Sequence, residues 1–242
     1  MQETTAPRRQ SRLTPRPIRP SGWWFDGLLL AGFVALTVAL ANGLFYDVDN
    51  AVREWADAHR PDVAYAIGRG LNWLGSGGSL TTICALIAVS LAVRRQSIRP
   101  ILPVIAAFLA TGFAILPLKI WTERAAPNSK LPDRVEIFND LPFGEYSQSY
   151  PSGHLVNTLV WYGVLALLLA PWLAPATRRW LRVTPPVIVF ASTVYLNFHW
   201  LTDSVAGLLL GLLLDRLLAR VPWDDVPLPP LPRGADRPGV FT

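Results

Sequence analysis

Apolar runs recur along most of the chain, at 24–45, 78–93, 101–120, 155–173, 183–198 and 204–219, with polar stretches between them. A membrane core about 30 Å thick is crossed by about 20 apolar residues in a helix. The six runs therefore predict six membrane-crossing helices, the last two being short for that task. Between the first and second runs, DNAVREWADAHR has helical periodicity that sets Val52, Trp55 and Ala56 on one side, predicting a helix in the membrane interface. The GSGG of Gly75 to Gly78 predicts a flexible turn into the second run. The connection 121–153 is rich in Pro, Asn, Asp and Gly, and a loop of that length is uncommon without a function. Gly207 and Gly211 form a small-xxx-small pair, which predicts close helix packing in the last run. The expected fold class is all-α: a polytopic six-helix bundle over 23–220. A disordered basic tail at 1–22 and a disordered Pro-rich tail at 221–242 flank it.

Composition agrees with a membrane protein. Half of the 242 residues are hydrophobic (51%) and only 16% are charged, unlike an ordinary soluble domain. The net charge of +5 invites a nucleic-acid partner, but its distribution argues against one. With the N-terminus cytoplasmic, 15 of the 22 Lys and Arg residues fall on the cytoplasmic side of the six runs. Both short inner loops, RRQSIR and TRRWLR, carry Arg and no acid, as the positive-inside rule requires. Both termini are thus expected in the cytoplasm and the 121–153 connection outside, in contact with membrane lipids. No cleavable signal pattern is seen, so the first run is expected to stay as an anchor. Trp73, Trp121 and Trp200 at the outer boundary, with Trp24, Trp172 and Trp180 at the inner, fit aromatic belts. The single Cys84 excludes an intrachain disulfide and a cysteine metal site. No metal or other cofactor is expected. Twenty of the 22 basic residues are arginine, a bias that points to a bacterial source.

Candidate chemistry collects on one side of this topology. His199 and Asp203 are four residues apart, which on a helix or tight turn places them on one face. A carboxylate that accepts from one imidazole nitrogen fixes the tautomer and frees the other nitrogen as a nucleophile or base. His154 follows Pro151-Ser152-Gly153 at the outer start of the fourth run. There Ser152 offers a hydroxyl, and Gly153 lets backbone N–H groups approach an oxyanion. Lys119 ends the third run and can set positive charge against a phosphate. Taken singly, each feature has a plain structural reading: a buried His–Asp pair, a helix cap after proline, a snorkelling lysine. Their arrival at one membrane face favours a site, because ionisable groups there are functional candidates by default. His59 and Glu123 lack such company and read as solvated loop residues.

The motifs resemble those of the type 2 phosphatidic acid phosphatase superfamily, which includes the membrane-bound lipid phosphate phosphatases. That family carries K-x6-R-P, P-S-G-H and S-R-x5-H-x3-D. The second motif is complete as Pro151-Ser152-Gly153-His154; the third reads Ser192-Thr193, five residues, His199, three residues, Asp203; the first reads Lys119, six residues, Ala126-Pro127. The resemblance covers about 101–219. It implies a phosphohistidine formed on His199, with Asp203 orienting that ring. It implies that His154 is general acid and then base, and that Lys119, Ser152 and Gly153 hold phosphoryl oxygens. No metal is required. The substrate implied is a phosphorylated lipid, phosphatidate-like or a polyprenyl phosphate or pyrophosphate, attacked at the extracytoplasmic face of a bacterial plasma membrane by hydrolysis or transfer. Ala126 and Thr193 stand where the family has phosphate-gripping arginines. Arg124 is the nearest substitute, with Lys130 and Arg134 as further options. Two other classes stay open: a non-catalytic relative that binds lipid phosphate or a partner protein, and a small-solute transporter. Charge gathered at one face rather than the midplane argues against the transporter.

Overall fold

The computed structural model describes residues 22–131, 133–138, 148–228, 239 and 241. Among them every regular element is helical: α1 (Trp23–Ala41), α2 (Tyr46–Ala58), α3 (Asp62–Asn72), α4 (Gly77–Arg95), α5 (Ile101–Thr122), α6 (Gly153–Leu168), α7 (Pro175–Tyr195) and α8 (Leu201–Arg220), with 3₁₀ turns at Trp73–Gly75 and Trp223–Asp225. The tail at 1–21 and most of the far C-terminus lie outside the described residues, as do residues 139–147 of the long connection.

The apolar helix α6 is the axis of the molecule, with ten of its 16 residues buried, and α4, α5, α7 and α8 pack around it. By contrast, α1 buries only Asp26, Leu29, Phe33, Thr37 and Leu40, one narrow stripe at helical spacing. Its other faces expose Leu28, Leu30, Val34 and Val38. An apolar helix that leaves most of its circumference uncovered belongs in lipid rather than water. By length and composition α1, α4 and α5 can cross a membrane, and α6 is apolar over a shorter length. Of the six crossings expected, three are thus long and apolar enough among the described residues.

The α6–α8 contact depends on glycine. A Cβ on Gly207 would lie 2.6 Å from the Ser152 carbonyl oxygen, and one on Gly211 would lie 2.7 Å from Leu159 Cδ1. The small-xxx-small pair thus lets α8 approach α6 closely. At the far end of the bundle, Asp26 of α1 accepts from Arg216 Nε (2.5 Å) and from Arg220, both on α8, while Arg182 of α7 pairs with Asp215.

Several expectations change. TRRWLR is not a loop but part of the first turns of α7, which tolerates Pro175 at its start because that position has no intrahelical N–H bond to lose. The α2 helix forms as expected, but it buries Asp49 and Ala56 and leaves Trp55 exposed, stacked on His59. A further helix, α3, fills the first outer connection. GSGG is a packing seam rather than a flexible turn: a Cβ on Gly75 would meet Val189 at 2.8 Å, and one on Gly77 would meet Asn157 at 2.5 Å. Trp200 leaves the aromatic belt, being 1% exposed, whereas Trp24, Trp73, Trp121, Trp172 and Trp180 stay exposed. Residues just after 220 are ordered, because Arg99 donates to the carbonyls of Trp223, Asp224 and Val226.

Candidate active site

Four helix ends meet at one end of the bundle. The last turns of α5 carry Lys119, Ser152 and Gly153 open α6, the turn after α7 carries His199, and Asp203 lies in the first turn of α8. That turn exists because α7 stops at Tyr195 and Asn197 takes a left-handed φ of 56°, which asparagine tolerates better than most residues. The Asn197 side chain donates to Asp57 of α2 at 2.8 Å, holding the turn. Asp203 Oδ2 then accepts the Trp200 N–H at 3.1 Å, starting α8 as a carboxylate at a helix N-terminus should.

The two histidines face each other, His154 Nδ1 lying 3.4 Å from His199 Nε2 with the rings edge to face. His199 Nδ1 is 3.7 Å from Asp203 Oδ2, beyond hydrogen-bond reach. The Ser149 hydroxyl bridges that gap, donating to Asp203 Oδ2 at 2.6 Å and standing 3.2 Å from His199 Nδ1. With its proton given to Asp203, Ser149 Oγ accepts from His199 Nδ1–H. This tautomer leaves the Nε2 lone pair directed at His154. His199 is 7% exposed, and burial holds its pKa below the usual imidazole value, opposed by the nearby Asp203 carboxylate.

Ser152 is the N-cap residue of α6, yet its side chain makes no cap bond, and Ser152 Oγ is buried without a partner among the described residues. The first N–H groups of α6 likewise have no acceptor within the helix. An unspent hydroxyl beside free N–H donors at a helix start is suited to an anion. Lys119 stands next to it: a Cβ on Gly153 would lie 3.6 Å from Lys119 Cε, and Lys119 Nζ donates to the Gln148 carbonyl. His154 is backed by Gly75, whose added Cβ would come within 3.2 Å of His154 Cβ.

The remaining sequence candidates go elsewhere. Arg124 is fully buried behind Asp203, where Nη1 donates to Asp203 Oδ1 (2.6 Å) and Thr202 Oγ1 (2.8 Å). Its Nη2 donates to Asp49 Oδ2 (2.7 Å), and its Nε to the Val135 carbonyl (2.9 Å). The Asp49 and Asp203 charges hold this guanidinium in its ionised form against the cost of burial. Thr193 is buried and turns its hydroxyl back onto the Val189 carbonyl at 2.7 Å. Ala126 is half-buried, Lys130 is exposed, and Arg134 donates to the Ser129 carbonyl. His59 is exposed as expected, bonded to the Trp55 carbonyl. Sequence reasoning missed Ser149, which nothing local distinguishes from other loop serines. It also missed Asp49, although a carboxylate in register with Ala56 on the buried side of α2 was a usable signal.

Two histidines, a carboxylate, a lysine and a helix N-terminus thus meet at one end of an apolar helical bundle. The chain matches the PAP2 superfamily over residues 100–227, more than half its length, and belongs to that family. The enzymatic class of the family, lipid phosphatase, is the class of this chain. The chain is 27% identical over 191 residues to phosphatidylglycerophosphatase B of Bacillus subtilis (strain 168), an alignment covering 77% of this chain and 89% of that one. Its fold is similar to the crystal structure of a transmembrane PAP2 type phosphatidylglycerolphosphate phosphatase from Bacillus subtilis. The TM-score there is 0.66 at 24% identity, over 80% of this chain and 93% of the other.

Proposed function

We propose that the chain removes phosphate from a membrane lipid at the extracytoplasmic face of a bacterial plasma membrane, through a phosphohistidine on His199. The reading is carried by one observation: His199 Nε2, with Nδ1 engaged by Ser149, faces His154 beside the unpartnered Ser152 hydroxyl and Lys119. His199 Nε2 attacks phosphorus and forms the P–N bond as the P–O bond to the lipid breaks. His154 gives its proton to the departing oxygen. Water then attacks the phosphohistidine, His154 takes the water's proton, and the P–N bond breaks to release orthophosphate. Lys119, Ser152 Oγ and the first N–H groups of α6 hold the phosphoryl oxygens throughout, which is the main work of such catalysis.

A phosphorus atom poised for attack needs about 3–3.5 Å from the nitrogen, with the leaving oxygen beyond it. Nitrogens 3.4 Å apart leave no room for both, so one imidazole swings aside as the phosphate enters. Similarity to a phosphatidylglycerophosphatase makes a phosphatidylglycerophosphate-type monoester the first substrate to try, with phosphatidate and a polyprenyl pyrophosphate beside it. Purified protein in detergent should release phosphate from at least one of these, and His199→Ala from none. Equal release by the two proteins removes the proposal.

A further inference from the structure

Two buried carboxylates share one buried arginine behind the histidine pair, and one of them, Asp49, has no part in the chemistry above. Asp49 comes from α2, far from the motifs in sequence and outside the region matched to the family. It is 1% exposed, and burying like charges together is costly unless geometry requires it. The geometry here is saturated. Asp49 Oδ1 accepts the Thr202 N–H at 3.0 Å, and its Oδ2 accepts the Thr202 hydroxyl at 2.5 Å and Arg124 Nη2 at 2.7 Å. Arg124 is then left with a single edge for Asp203, Nη1 to Oδ1, while Asp203 Oδ2 is kept for Ser149 and the Trp200 N–H. A guanidinium prefers to take a carboxylate by two parallel bonds. Asp49 holds the second nitrogen away from that arrangement.

We infer that Asp49 is a positioning residue of the phosphoryl-transfer site: by occupying Arg124 Nη2 and the first turn of α8, it keeps Asp203 turned toward Ser149 and His199. The inference rests on the proposed reaction at His199. Without the Asp49 charge, Arg124 rotates toward Asp203 and takes both its oxygens. Ser149 loses its acceptor, and with it the bond that holds His199 Nδ1–H. Binding of the phosphate is untouched, because the side-chain bonds of Asp49 go to Thr202 and Arg124 and not to Lys119 or Ser152.

The test compares wild type, Asp49→Asn and Asp49→Glu in detergent, all normalised to the monodisperse fraction, with phosphate release from the lipid monoester as the assay. Asp49→Asn should lower kcat about 10- to 100-fold, the scale of a small misplacement of a reacting group, with KM and inhibition by inorganic phosphate within about twofold. Asp49→Glu, which keeps the charge, should recover a substantial part of kcat. An Asp49→Asn protein with wild-type kcat and a lower unfolding temperature overturns the inference and leaves Asp49 as a docking contact for α2. So does an equal rise in KM and fall in kcat, or an Asp49→Glu protein that recovers neither fold nor rate. Wild-type protein that releases no phosphate from any lipid overturns the proposed function itself, whereas active wild type with an unaffected Asp49→Asn overturns only the role of Asp49.

Discussion

At the scale of single residues, the site separates attack from grip. His199 has its Nδ1 engaged by Ser149 and its Nε2 turned to His154, and in the proposed reaction the neutral ring is the reactive form. Because burial lowers its pKa, the neutral form persists below the usual imidazole value of about 6.5. With an aryl phosphate, whose leaving group needs no proton from His154, the rate of phosphohistidine formation in a single turnover should therefore stay flat as pH falls through that value and drop only on the more acid side. A limb at or above it would show that burial does not govern this ring. Ser149→Ala removes the bridge to Asp203 while leaving the phosphate ligands in place. A hydrogen bond to a charged group is worth about 1.5–3 kcal/mol, so kcat should fall about 10- to 100-fold with little change in KM. Lys119 is the cation nearest the α6 cradle, since Arg124 is held by two carboxylates and Thr193 faces its own helix. Lys119→Ala should accordingly raise KM for a lipid monoester more than tenfold, read from phosphate release against lipid concentration.

At the scale of elements, the site is as precise as the seams that hold its helices. Ser152 N–H donates to the Asp203 carbonyl at 3.0 Å, so the starts of α6 and α8 are joined directly, and the glycines of α8 keep the two helices close below that bond. Gly211→Val would push Val156 and Leu159 away from α8. Such overpacking costs about 1–3 kcal/mol, visible as a lower unfolding temperature in detergent, and it should reduce phosphate release at the same time. Apolar periodicity and the Gly207/Gly211 pair made most elements legible, because both carry their meaning locally. The orientation of α2 was not legible in that way. Val52, Trp55 and Ala56 formed the apolar stripe, but the face actually buried follows Asp49, which packs inward only because Arg124 and Thr202 meet it there.

At the scale of the whole molecule, the two ends of the bundle do different work. One end gathers His154, His199, Ser149 and Asp203, while the other is closed by Asp26 with Arg216 and Arg220, and by Arg99 on the segment after α8. Arg99→Ala should release that segment to limited proteolysis without altering phosphate release, because Arg99 sits at the end of the bundle away from the histidines. A change in kcat would mean that the ends are coupled.

The sequence by itself determined that this is a helical membrane protein, and its motifs carried the resemblance to the lipid phosphatase family. Hydropathy and motif spacing express the cost of apolar and ionisable groups position by position, so both can be read without a fold. Only the tertiary structure decided which partners those groups take. Ser149 reaches Asp203 across 54 positions and Asp49 reaches Thr202 across 153, and Arg124 proves to be committed to protein carboxylates. Contacts over such separations depend on how helices dock and on which charges must be neutralised away from water. The chain records that balance nowhere as a local pattern.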